Sequence, residues 1–197
     1  MGKELLLNAV ENECIEAVNN KYPDEQKVIV FGEGNADADI ALVGEAPGEK
    51  EIKYKRPFAG AAGKNLDEFL DILGLKREDI YITNTVKFRP VKINPKTLRL
   101  SNRPPEKDEI ALCLPFLQRQ LDIIKPKIVV TLGNTPLRAL TGDNKITIGK
   151  CHGTLIEECR YDIFPLYHPA SILYNMSLKE VYNKDLLKFK KILKDNG

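Results

Sequence analysis

Four short apolar runs, at residues 40–43, 81–84, 128–132 and 163–167, alternate with longer segments whose apolar residues recur at helical spacing. That alternation narrows the possible folds more than any other feature of the chain. The runs are too short for helices, and they are apolar on consecutive positions rather than every second one, as strands covered on both faces are. Between them, residues 3–20 carry Leu5, Leu6, Val10, Cys14, Ala17 and Val18 on a helical period and stop at Tyr22-Pro23-Asp24. Residues 64–73 place Leu66, Phe69, Leu70 and Leu73 on one face before Gly74, and residues 106–124 do the same with Ile110, Cys113, Leu117, Leu121 and Ile124. A short helix is expected over 135–140 and a last one over 181–193. Strands alternating with amphipathic helices predict an α/β fold: a three-layer α/β/α sandwich around a central, mainly parallel four-stranded sheet. At 197 residues the chain fits one such domain, spanning 1–197.

In parallel sheets the carboxyl ends of the strands are where ligands bind, and here each run ends in polar chemistry. The first opens into Gly44-Glu45-Ala46-Pro47-Gly48-Glu49-Lys50-Glu51, which carries the carboxylates Glu45, Glu49 and Glu51. The second ends in Asn84, the third in Gly133-Asn134, the fourth in His168-Pro169. Gly133-Asn134-Thr135 sits at a strand-to-helix turn, where free backbone N–H groups and the helix dipole suit a phosphate; Ser171 is placed for the same task. Ile172-Leu173-Tyr174 is apolar where a loop is normally polar. The first loop lacks the Gly-x-Gly-x-x-Gly pattern and the Gly-Lys-Ser/Thr ending of a nucleotide cradle.

Charge decides little by itself: 30 Lys and Arg against 28 Asp and Glu give a net charge of +2. A nucleic-acid partner would need a local basic surface, for which Lys87, Arg89, Lys92, Lys96, Arg99 and Arg103 are the candidates. They fall in or beside residues 89–107, an irregular stretch with four prolines that is expected to be an ordered surface loop. The apolar runs are too short to cross a bilayer, and the first residues do not form a signal peptide. A cytoplasmic, nucleoid-associated protein with no membrane partner is therefore expected.

Five blocks, in order, resemble the uracil-DNA glycosylase superfamily and within it family 4 of bacteria and archaea. They are residues 30–35 (Val-Phe-Gly-Glu-Gly-Asn), 43–49 (Val-Gly-Glu-Ala-Pro-Gly-Glu), Arg56-Pro57-Phe58, Tyr81-Ile82-Thr83-Asn84 with Lys87, and His168-Pro169-Ala170. The resemblance implies an enzyme that flips uracil out of single- or double-stranded DNA, hydrolyses its N-glycosidic bond and leaves an abasic site. It assigns the base pocket to Ala46, Phe58 and Asn84, with Phe58 as the stacking ring and Asn84 as the pyrimidine reader. A carboxamide accepts from uracil N3–H while donating to O4, a pattern that cytosine inverts. His168 is implied as the donor to uracil O2 as charge builds there. Family 1 enzymes carry an Asp where this chain has Ala46, so the water-orienting carboxylate falls to Glu45 or Glu51, with Glu45 preferred and Glu51 also able to crowd the base's 5-position. Gly133, Asn134, Ser171, Arg89 and Arg103 are assigned to DNA contact, and Leu173 to a wedge that fills the gap left by the flipped base. Alternatives on the same fold are a glycosylase for another deaminated base, such as hypoxanthine, and a non-catalytic DNA-binding module. A monomer is expected.

The resemblance also implies a [4Fe–4S] cluster on four cysteines, and here the chain departs from it. Cys14 and Cys113 match the first and fourth ligand positions, but Ala17 and Phe88 stand at the second and third. Cys151 and Cys159 lie in a region, 151–167, expected to form a hairpin away from that corner. No metal or cofactor is expected, and Phe88 is expected to pack with Cys14, Ala17 and Cys113 as a small apolar core. His152 is given no role.

Overall fold

The structure is a computed structural model that describes residues 2–157 and 160–195. In chain order the elements are α1 (Lys3–Lys21), β1 (Glu33–Gly34), β2 (Ile40–Gly44), α2 (Glu49–Tyr54), α3 (Ala61–Leu73), β3 (Tyr81–Asn84), β4 (Val91–Ile93), β5 (Leu100–Asn102), α4 (Lys107–Ile124), β6 (Ile128–Leu132), α5 (Asn134–Thr141), α6 (Ile148–Cys151), β7 (Asp162–Leu166), α7 (Pro169–Tyr174) and α8 (Leu178–Asp195). The main sheet has the order β1-β3-β2-β6-β7. Its last four strands are parallel, as expected; the two-residue β1 adds an antiparallel edge that the four-strand expectation lacked.

Every residue of β2, β3 and β6 is buried, because helices cover both faces. Alternate residues turn to opposite layers. Leu42, Ile82, Val130 and Phe164 pack with Leu66 and Phe69 of α3 and Leu186 and Phe189 of α8. Ala41, Val43 and Val129 face Leu117 and Leu121 of α4. The sandwich follows from this two-sided demand for cover.

Two regions differ from their sequence-based description. Residues 89–107 hold an antiparallel hairpin, with Val91 paired to Asn102, Lys92 to Ser101 and Ile93 to Leu100; strands of three residues flanked by prolines leave no readable period. Of the hairpin expected over 151–167, the described residues show one antiparallel bridge, between Ile156 and Ile163, with the end of α6 before it and β7 in place of a second hairpin strand.

Register brings the chemistry to one edge. Gly44 pairs with Asn84, Val43 with Thr131, and Leu132 with Leu166, so the parallel strands end level and their loops surround a common space. Among the described residues no helix is long and apolar enough to cross a membrane.

Candidate active site

A cleft of about 750 Å³ opens at that edge, with Glu45, Phe58, Asn84, Gly133 and His168 in its wall. Four of the five come from the ends of different strands. The fifth, Phe58, is brought in by the turn between α2 and α3.

Asn84, 3% exposed, ends β3 with its carboxamide beside Gly44 and Phe58. A Cβ on Gly44 would lie 2.4 Å from Asn84 Oδ1 and 2.9 Å from Phe58 Cζ, so only glycine lets both side chains close over the end of β2. No protein partner for the carboxamide is present among the described residues, which leaves its donor and acceptor for something in the cleft. The backbone of Asn84 is held from behind by Lys87, whose ammonium donates to Asn84 O at 2.7 Å, to Thr83 Oγ1 at 2.8 Å and to Gln120 Oε1. Lys87 is fully buried, and that burial pushes its pKa down to about 7, against the opposing influence of Cys113 and Cys14. Lys87 is therefore removed from the basic-surface candidates: its work is to fix the end of β3.

Phe58 is 5% exposed and has φ +50°, the left-handed region that a β-carbon disfavours. Its carbonyl accepts from Arg77 Nη2 at 3.0 Å, and the Pro57 carbonyl from Arg77 Nη1 at 3.3 Å. Arg77 is anchored in turn on Asp67 at 2.8 Å and on Glu33 at 3.2 Å, and Glu33 also holds Arg56 at 3.1 Å. Gly63 completes the bracket, since a Cβ there would meet Phe58 O at 1.8 Å. The ring that results lies nearly parallel to His168, with centroids 5.7 Å apart and 23° between planes.

His168 caps α7: Ala170 N–H donates to its Nδ1 at 3.1 Å. The ring proton therefore sits on Nε2, which is left to donate into the cleft. Desolvation lowers the imidazole pKa to about 4, with only the Glu51 charge opposing it. The folded value lies below the unfolded one, so the group's contribution to stability is complete above the unfolded pKa, near 6.5, and is lost as pH falls toward 4. Nitrogen-detected NMR should accordingly show His168 neutral, protonated on Nε2, at pH 5.5. A ring half-protonated at pH 6.5 would contradict this electrostatics.

The carboxylates divide by partner. Glu51 accepts from Gly48 N–H at 3.1 Å and Gly60 N–H at 2.8 Å, tying the β2 loop to the Phe58 turn. Glu45 accepts one bond, from the Thr135 hydroxyl at the start of α5, and otherwise faces the cleft. Glu49 is exposed, with Arg89 3.4 Å away. Ala46 lines the cleft and backs onto the cluster that contains Cys14 and Phe88.

The DNA-contact candidates fare unevenly. Gly133 N–H is not free, as was expected, but donates to Leu166 O at 2.8 Å; Asn134 Oδ1 accepts from Ile148 N–H at 2.8 Å. Ser171 lines the cleft, with its hydroxyl donating to His168 O at 2.6 Å. Arg103 forks onto the buried Glu109 at 2.7 and 2.8 Å and donates to Val91 O, which makes it a clamp for the hairpin rather than an unengaged cation. Arg89 is held by Asn102 at 2.7 Å. Leu173 and Tyr174 are exposed while Ile172 is buried, so only the last two residues of the apolar run project. Sequence reading missed Arg77 and Thr135: each acts through a partner 19 or more residues away, and nothing local marks them. It also gave His152 no role, whereas its Nδ1 meets the buried Asp185.

At the corner where a cluster is implied, Cys14, Phe88 and Cys113 are fully buried together with Val10, Val18 and Phe31. Ala17 is half-buried and outside that cluster. Tyr22 packs edge-on to Phe88 at 5.5 Å. Burial pushes the Cys14 thiol up to about 12 and raises that of Cys113. Two thiols facing a phenyl ring do not fit a four-thiolate ligand set. Cys151 bonds to Thr147 O, and Cys159 lies outside the described residues. Among the described residues no group of three or more His, Cys, Asp or Glu is placed to hold a metal.

An aromatic face, an unpaired carboxamide, a neutral imidazole and a carboxylate, gathered at the strand ends of an α/β/α sandwich, define a pocket for a flat polar ring. Comparison with known proteins agrees. The Uracil DNA glycosylase superfamily matches residues 31–195. The Type-4 uracil-DNA glycosylase of Sulfurisphaera tokodaii is 41% identical over 194 residues, covering 94% of this chain and 84% of that protein. Those of Saccharolobus solfataricus, 42% identical over 176 residues, and Thermotoga maritima, 40% over 172, cover 85% and 86% of this chain and 77% and 85% of their own lengths. The chain belongs to the uracil DNA glycosylase superfamily.

Proposed function

We propose that this protein is a monofunctional uracil-DNA glycosylase that releases uracil from DNA and leaves an abasic site for repair. The observation that carries the reading is the unpartnered Asn84 carboxamide beside Phe58 and the Nε2–H of His168. A uracil turned out of the stack would rest on Phe58 and satisfy Asn84 with N3–H and O4. His168 would then donate to O2 as the glycosidic bond lengthens. A neutral donor suits this step: it stabilises the departing anion without having to deliver a proton. Glu45 orients the attacking water and opposes positive charge on the deoxyribose, while Glu51 keeps the two loops together. The Type-4 names of the relatives support the same substrate. The enzyme acts as a monomer in the cytoplasm, at the nucleoid, on uracil in single- or double-stranded DNA, and it does so without a cluster, because Phe88 occupies a ligand position.

The test is purified protein on oligonucleotides containing one uracil, hypoxanthine or thymine, with alkaline cleavage of the abasic product. Uracil should be released, thymine retained, and activity should survive chelation in a colourless preparation. Hypoxanthine cleaved faster than uracil would shift the specificity; stoichiometric iron and acid-labile sulfide in anaerobically purified protein would overturn the cluster-free reading.

A further inference from the structure

The β4–β5 hairpin has features that its role as a wall of the cleft does not explain. In an antiparallel pair, directly opposed residues share a face and alternate pairs return to it. Val91 and Asn102 therefore lie on the same face as Ile93 and Leu100, and Asn102 lines the cleft. Outward from the cleft mouth, that face continues as Ile93, 62% exposed, and Leu100, 54% exposed, with Leu98, 77% exposed, at the tip.

The tip is held in place by its own bonds and not by burial. Asn94 N–H donates to Arg99 O at 3.0 Å, Leu98 N–H to Asn94 O at 2.8 Å, and Asn94 Oδ1 accepts from Lys96 N–H at 2.9 Å. Leu98 has φ +55°, a conformation disfavoured for leucine, and here it presents an apolar side chain to solvent. An exposed apolar strip on a braced support points to an interaction surface.

Charge identifies the occupant. No acidic residue lies between Pro90 and Pro105, whereas Lys92, Lys96 and Arg99 do. None of these three forms an ion pair among the described residues, in contrast to Arg56, Arg77, Arg89, Arg103, Arg119 and Arg160, which all do. Unneutralised cations beside an apolar strip that runs into the cleft fit a polyanion with flat apolar rings, which is a nucleic-acid strand.

We infer that the β4–β5 hairpin is a docking arm for the DNA strand that flanks the flipped nucleotide, with Ile93, Leu98 and Leu100 against bases and sugars and Lys92, Lys96 and Arg99 on phosphates. The identity of the ligand rests on the glycosylase reading, and the experiment separates the two. Binding is measured between about 50 and 300 mM salt, by fluorescence anisotropy, on a duplex carrying one non-hydrolysable deoxyuridine analogue. The proteins are wild type, K92Q/K96Q/R99Q, and L98S, whose side chain is too exposed for its loss to unfold the domain.

The triple variant should bind about tenfold or more weaker near 100 mM salt, with a salt slope shallower by about 2 to 3, since each lost phosphate contact removes about 0.9 from it. L98S should weaken binding several-fold with an unchanged slope, because an apolar contact with a base or sugar releases no counterions. In both, the melting temperature and the affinity for free uracil should equal those of wild type, which shows the pocket intact. Wild-type DNA affinity in either variant overturns the inference. A wild-type enzyme that fails to cleave uracil DNA, while the hairpin variants still lose binding, overturns the glycosylase reading and leaves the arm standing.

Discussion

Asn84→Ala and His168→Ala should each reduce single-turnover uracil excision by about two orders of magnitude or more, while the protein stays folded. For His168 the loss is that of a preorganised donor to a developing oxyanion, a deletion that elsewhere costs about 10²–10³ in rate. For Asn84 it is the loss of the one carboxamide that reads the base edge, and an unread edge leaves the ring free to sit in unproductive poses. The two differ in stability. The Asn84 carboxamide has no hydrogen-bond partner among the described residues, so its removal strands no group there. His168 accepts from Ala170 N–H at the start of α7, and losing such a cap costs about 0.5–2 kcal/mol. A melting temperature lowered only in His168→Ala, with both rates reduced, is the expected pattern. Near-normal rates in both would sink the proposed chemistry.

The carboxylate pair offers an equally sharp contrast. Glu45→Gln should slow the chemical step by about 10²-fold at an unchanged melting temperature, as the loss of a general-base or charge-stabilising group does. Glu51→Gln should act mainly through the fold. An amide cannot accept at both ends, so it keeps one of the bonds to Gly48 and Gly60 N–H and presents its NH₂ to the other. The two loops then loosen, and both melting temperature and KM suffer before kcat does. Single-turnover rates and thermal melts on the same preparations decide between them, and a larger rate loss in Glu51→Gln would move the water-orienting role to that residue.

The four parallel strands and the main covering helices could be read from period alone, because burial on one face or two leaves a direct imprint on residue order. The residues gathered at the strand ends, Glu45, Asn84 and His168, were legible for the same reason: a polar residue just after an apolar run is at the sheet's edge. What the sequence concealed were partnerships. Lys87 and Arg103 look like any other cations beside Arg89, yet one is buried among three acceptors and the other is locked to Glu109. Whether a charge faces solvent depends on helices that arrive later in the chain. The Gly133 amide is spoken for by Leu166 of β7, 33 residues on. The hairpin escaped notice because three-residue strands are too short to display alternation.

The left-handed backbone at Phe58 sets two properties of the enzyme against each other. A non-glycine residue there carries about 1–3 kcal/mol of conformational strain, offset by Arg77, Glu33 and the space at Gly63. Glycine at position 58 would relax the chain but remove the ring. Phe58 is also part of the main buried cluster, and losing a buried phenylalanine ring costs about 3–5 kcal/mol, more than the strain released. The packing of one ring thus outweighs the backbone it distorts, and the same side chain both seals the core and lines the cleft.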